Sequence, residues 1–561
     1  MQQTEHRKQA TFIKVLLTAL LISVMIAVSA CGSGSDSSSS AAESSAGSSA
    51  EGASASSVTY NYVSPSDLSG SSSESDSDNS SDSDQGSQEQ SGEGGPGGAP
   101  GGAPGGPNTQ SYDYSGTYTA ALTADGNEKT SDGEELSATE SDQNVALAQN
   151  GGVLELLKAT LTKSGSDDDG DRCNFYGANS SVLAVGEKTK AYISKSNISS
   201  TSDGSNGIFA TDSATVYASG TSIKTTDSDN ARGLDATYGG VIYGDDLEIS
   251  TEGDHCAATA TDRGGGYISL TDSTLSTKGS GSPLIYSTGD IEVSNVTGTA
   301  SGSQIAGMEG LNRIIISNST LESTNDATTG SDPIKNGIII YQSTSGDADT
   351  STDETADFEA IDSTLKTSIS DGAMFYVTNT NAKIVLSNTD LDFDTENVDL
   401  IDAVGNSSNN WGSEGSNGGS ASITASEQVL GGDIKVDSIS SVSLSLTNGS
   451  IYTGAVKGDV SDDNVTINVS ENSQWTVTKD CTVSSLDVAE GGEVVDSDGK
   501  TVTIKSGSET LVKGDSDITV TVTGDYTTDG KAKNETVSVD VLDRADFDKK
   551  YETETAFGKT K

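Results

Sequence analysis

The sequence predicts an all-β chain wound as a parallel β-helix of about 25-residue coils, and three observations carry that prediction. One unit recurs: two apolar positions two apart, a polar Ser/Asp/Asn turn, then an apolar residue beside Thr or Ser. It appears over 268–275 (ISLTDSTL), 314–321 (IIISNSTL) and 384–391 (IVLSNTDL). Taking the last apolar position as an anchor gives Leu161, Ile198, Ile223, Ile249, Leu275, Gly298, Leu321, Leu365 and Leu391, spaced 37, 25, 26, 26, 23, 23, 44 and 26. Three short strands per unit let each coil hydrogen-bond to the next and stack its inward side chains in columns. Composition is the second observation: with 561 residues, 32% hydrophobic and 5% aromatic, conventional cores cannot be filled, whereas an economical repeat can. The third is proline: after Pro107 only Pro283 and Pro333 occur, as an almost unbroken ladder of strands demands. The density of Gly, Ser and Thr argues against helices.

In chain order, residues 1–30 read as an export leader. Arg7, Lys8 and Lys14 lead into the apolar run Val15–Ala27, which is of signal-peptide length and short for a membrane span. It ends in Val28-Ser29-Ala30-Cys31, which resembles the bacterial lipobox; the resemblance implies that Cys31 is acylated and becomes the first mature residue. The chain would then be lipid-anchored on the extracytoplasmic side of the cell membrane, with acyl chains as its attachment.

Residues 31–109 read as a disordered tether, poor in apolar side chains and ending in Gly-Gly-Ala-Pro repeats. As flexible coil it would span roughly 50 Å. Its Ser-Asp runs, such as Ser75–Asp78, fit a solvated, self-repelling spacer better than a calcium site. Residues 110–525 form the β-helix, of roughly a dozen coils or more. The two long spacings are loops thrown out from a corner, one through Asp167, Asp168, Asp169 and Asp171, the other through Asp347, Asp349 and Asp353. The remaining strand of each coil is expected at Gly207–Ala210, Gly233–Ala236, His255–Ala258 and Ala373–Tyr376. Residues 526–561 are a closing segment and charged tail over the far end.

On these residues, and on Arg232–Gly240, Thr261–Gly266 and Ser473–Val483, the chain resembles the right-handed parallel β-helix proteins of bacterial surfaces, the pectin-lyase-like fold of adhesins and autotransporter passengers. The resemblance implies surface display and adhesion, with lipid attachment in place of an outer-membrane barrel.

Chemistry is sparse. The excess of 84 acidic over 31 basic residues gives −53, which repels nucleic acid, anionic lipid and polyuronate unless a metal bridges them, so nucleic-acid roles are excluded. Cys173 and Cys256 align with the inward column of Ile208 and Leu234, three coils apart and beyond disulfide reach; Cys481 reads as another buried thiol. His255 is the single histidine after the leader, which leaves no multi-histidine zinc site and fits a turn. Gly499-Lys500-Thr501 lacks the preceding glycine of a phosphate loop.

Polysaccharide cleavage is the enzymatic alternative, since lyases and hydrolases of the resembled fold work with carboxylates. Asp246 and Asp272 sit three before their anchors and would stack about 5 Å apart. Asp or Asn fills that position in six of nine repeats, which points to a tight corner rather than to one unusual catalytic coil. Trp411, in a Gly/Asn/Ser-rich loop, either offers an indole face to a sugar or covers the apolar column. Asp167, Asp169 and Asp171 make a calcium-capable loop without the full EF-hand pattern. Tyr238 and Tyr243 line an outer face. The expectation is therefore a monomeric, non-catalytic surface lipoprotein that displays a rod to host or cell-wall glycans or matrix proteins. A calcium-dependent polysaccharide-binding module and a lyase-like enzyme are the alternatives.

Overall fold

Each coil lays one strand on each of three faces, so sheet order follows every third strand of the chain. Sheet 1 has 13 strands, from Ala120–Asp125 to Val456–Gly458, and sheet 2 has 15, from Glu128–Asp132 to Tyr526–Thr527. Sheet 3 has 10, from Glu135–Ala138 to Asp390–Asp392; four later strands, Val429–Gly431 to Glu493–Val495, form a sheet of their own. All strand pairs in sheets 1 to 3 are parallel, so the all-β, parallel β-helix expected from the period is the observed architecture. The computed structural model describes residues 58–68 and 110–558 except 168, 227, 331, 349–354 and 409–410, all within the unit that begins at Ser56. Cys31, the leader, Ser75–Asp78, Asp168, Asp349 and Asp353 lie outside the described residues.

The anchor column runs in strict register down sheet 3: Leu136, Leu161, Ile198, Ile223, Ile249, Leu275, Gly298, Leu321, Leu365, Leu391. Leu136 adds a coil before the first anchor read from sequence. Gly298 interrupts the column because Leu284 reaches across: a Cβ on Gly298 would meet Leu284 Cδ1 at 2.7 Å. Sheet 2 points an unbroken inward column from Leu154 through Ile242, Ile314 and Ile384 to Leu486. Each fully buried aliphatic side chain contributes about 1.5–3 kcal/mol, so a one-residue-wide column stabilises a core without bulk.

The corner between sheets 2 and 3 explains the Asp/Asn recurrence. Gly133, Lys158, Lys195, Gly220, Asp246, Asp272, Asn295, Asn318, Asp362, Asn388 and Glu427 all have positive φ, between 46° and 70°. Short polar side chains and glycine tolerate that left-handed conformation best. Each of these N–H groups donates to a carbonyl of the next coil, as Asp246 does to Thr271 O at 3.2 Å and Asp272 to Ser294 O at 3.0 Å. In several coils the residue after the corner donates its N–H to a side-chain oxygen one coil on: Ser319 N to Ser363 Oγ, Leu247 N to Ser273 Oγ. Asp246 and Asp272 are thus corner residues.

Three expectations are corrected. The column of Ile208 and Leu234 continues to Thr259, not Cys256, and is preceded by Val182, not Cys173. The strand expected at His255–Ala258 is Thr259–Thr261; His255 takes φ 56° in a turn, and Cys256 accepts the Ala231 N–H on its sulfur and donates its own N–H to Ser282. Cys173 lies on a short helix, Gly170–Tyr176, inside the first long loop. All three described cysteines are unpaired and buried, and burial pushes the Cys256 and Cys481 thiols up to about 11.

Within the expected tether, Val58–Val63 is a strand. It pairs in parallel, residue for residue, with Val537–Leu542, from Val58↔Val537 to Val63↔Leu542. Both strands alternate apolar and polar side chains, so one face of the ribbon can be buried. That face packs on Ile315 and Ile361, outward residues of sheet 2, with Tyr60 OH 2.7 Å from Ser317 Oγ. The C-terminal tail therefore lies along the flank of the coil and does not overhang its far end. Helix Ala545–Tyr551 follows and covers a stacked ladder of Tyr192, Tyr217 and Tyr243, ring centroids 5.2 and 5.4 Å apart.

Candidate functional site

The outward column of sheet 1 reads Leu183, Phe209, Asp235, Ala260, Tyr286, Gly307, Ile339, Tyr376, Asp402. Its two ends are roofed. Phe209 and Leu183 lie with Leu147 under Tyr112 and Tyr118, and Ile339 and Tyr376 lie under Trp411. Between them, over small Gly307, the roof opens into a cavity of about 330 Å³, at the lower end of ligand-site volumes.

Both long loops bend over this one face. The first brings Asn174 and Phe175 from the helix Gly170–Tyr176; Thr237 Oγ1 donates to Phe175 O at 2.9 Å and holds it there. The second long spacing brings Thr329 and Asp332 from before the strand Asn336–Tyr341, Tyr341 at its end, and Asp347 from after it. The two loops are tied by Arg263, whose guanidinium lies 3.5 Å over the Phe175 ring and whose Nε donates to Asp347 at 2.5 Å.

The floor is charged and buried. Arg232, 8% exposed, meets Asp235 at 3.4 Å and Asp262 at 3.2 Å, and donates to Asn174 Oδ1 at 3.2 Å. Burial pushes Asp262 up to about 7 against the pull of Arg232, and pushes Asp235 well above the ordinary carboxylate range. On the second wall Tyr286 and Tyr341 both donate to Glu309 Oε2, at 2.9 and 3.0 Å. Asp332 accepts from Asn336 and Thr329, and burial lifts it to about 6. His255 stands at the rim, exposed.

Of the residues singled out from sequence, Trp411 reaches this cavity. It is 5% exposed and stacks on Tyr341 with centroids 4.3 Å apart, so most of the indole roofs the apolar column and only an edge faces the cavity. Asp246 and Asp272 sit at a different corner. Asp169 caps the helix Gly170–Tyr176, accepting from Arg172 N at 3.3 Å, and Asp171 is exposed in its first turn. Asp167 lies beside Gly204, where an added Cβ would meet its carboxylate at 3.0 Å. Among the described residues no three His, Cys, Asp or Glu side chains converge as a metal site needs. Tyr238 packs against Tyr176 and Tyr243 under Arg544, both on covered outer faces.

Sequence reasoning missed Arg232, Asp235, Asp262, Tyr286, Glu309 and Asp332. The available signal was charge at outward positions where neighbouring coils carry Phe209 or Ala260. Neither a protein-family profile nor a curated protein matches the chain.

Proposed function

We propose that the chain is a cell-surface protein, lipid-anchored through Cys31, whose β-helix displays a glycan-binding cleft on sheet 1. One observation carries this reading: Phe175, Tyr286, Tyr341 and Trp411 line the same cavity as Asn174, Asn230, Gln304 and three aspartates. Aromatic surface that packs against the apolar side of a ring, beside amides and carboxylates that bind its hydroxyls, is what a sugar needs. Rigid strands hold the floor and two tied loops hold the walls, so little ordering remains for binding to offset. The test is a broad polysaccharide and host-glycan array with calcium and again with chelator, followed by sizing of the bound glycans. Retention of intact glycans supports the reading, and loss with chelator selects its calcium-dependent form.

A second reading, glycan cleavage, is favoured by Asp262: a carboxyl at a cavity, lifted to about 7 by burial, can hold a proton for a leaving group at neutral pH. Shortened chains, abolished by Asp262→Asn, select this reading over binding alone.

A further inference from the structure

We infer that the sheet 1 cleft takes a sugar ring bearing a protonated amine and disfavours uronates, an inference that rests on the glycan-binding reading. Among the described residues the cavity is lined by one guanidinium, Arg232, three carboxylates, Asp262, Asp332 and Asp347, and the imidazole of His255 at the rim. Arg232 is already engaged: it ion-pairs with Asp235 and Asp262 and donates to Asn174. Arg263 beside the cavity is engaged likewise, with Asp347 and the Phe175 face. A ligand carboxylate would therefore find no unengaged arginine and would sit against Asp332, inside a protein of net charge −53.

An ammonium meets the opposite setting. Asp332 is positioned by hydrogen bonds from Asn336 Nδ2 (3.0 Å) and Thr329 Oγ1 (3.3 Å), which use only part of its acceptor capacity. The phenols of Tyr286 and Tyr341, which line the cavity, donate to Glu309, so their hydrogen-bond protons are already committed. A cation over such rings, next to a fixed carboxylate, is favoured by both the ring quadrupole and the charge.

The experiment titrates the full chain by calorimetry with four β-1,4-linked tetramers or their nearest counterparts: glucosamine, N-acetylglucosamine, glucose and galacturonate. The control variant is Gly307→Leu. A Cβ on Gly307 meets nothing closer than 3.5 Å, so a larger side chain fits the backbone and fills the cavity. The glucosamine tetramer should bind about tenfold more tightly than its N-acetylated form, corresponding to one desolvated cation contact. That preference should shrink in high salt and in Asp332→Asn, and vanish in Gly307→Leu. If the neutral tetramers bind as tightly and Gly307→Leu abolishes them, the glycan reading stands and the amine inference falls. Equal or tighter cleft binding of galacturonate has the same meaning. Glucosamine binding that survives Gly307→Leu is attraction to the acidic surface at large and also overturns the inference. If no glycan in either this set or the array binds, both readings fall together.

Discussion

Two faces of the same coil are covered by appended chain, and each buries an arginine, but the two arginines do different work. On sheet 2, under the C-terminal segment, Arg544 is 2% exposed and binds only neutral acceptors: Ser269 O and Oγ, Gly244 O, Thr271 Oγ1 and Thr555 Oγ1, at 2.7 to 3.1 Å. On sheet 1, Arg232 is balanced by two buried carboxylates beneath an open cavity. The first arginine staples a seal and leaves no room; the second maintains charge at the bottom of a cleft. Burial by appended chain thus produces a sealed face or an open cleft according to whether polar groups bind backbone or one another.

The largest expected effect tests that contrast. Arg232→Met leaves Asp235 and Asp262 buried without a counter-charge and should cost about 3–5 kcal/mol at pH 8. The loss should shrink at pH 5, where both carboxyls can take a proton; urea unfolding at the two pH values measures it. Arg544→Met strands neutral carbonyls and hydroxyls instead, at about 1–3 kcal/mol for each unsatisfied group. Its loss should appear as faster amide exchange in 537–551. A pH-independent Arg232 variant would break the comparison.

Carboxyl titration sharpens it from the other side. Asp262 and Glu292 are both pushed by burial to about 7, one on each face; Glu292 accepts the Leu542 N–H. The folded state holds these protons to higher pH than the unfolded chain does, so their stabilising contribution is complete below the ordinary carboxylate pKa and disappears as pH rises through about 7. Thermal unfolding should therefore move to lower temperature between pH 5 and pH 8, and Glu292→Gln should flatten the response for the C-terminal segment alone. In the shared core, Gly298→Leu collides with Leu284 and should cost about 1–3 kcal/mol, loosening both faces equally. The smallest expected effect on stability is that of Gly307→Leu, under about 1 kcal/mol, although it should remove cleft binding altogether.

The coil was the most legible part, because a left-handed corner and an inward aliphatic recur at the same place in each turn. All nine anchors stand in one column. The cleft was least legible. Arg232, Asp262, Tyr286, Glu309 and Asp332 come from successive coils and meet only through stacking; the long spacings marked the loops without saying which face they would cover. The strand at Val58–Val63 was hidden differently: its alternation is short and lies inside a stretch whose average composition is that of a spacer. Its partner Val537–Leu542 lies 479 residues later, so no local pattern joins them.

That clasp has a mechanical consequence. Chain upstream of Val58 is joined to the rod by the ribbon at Ile315 and Ile361, midway along sheet 2, while residues 69–109 run between the clasp and the first coil. Tension applied from the N-terminal side therefore loads six ladder pairs before it loads any coil. If the ribbon yields, the pull shifts from the middle of the rod to its end.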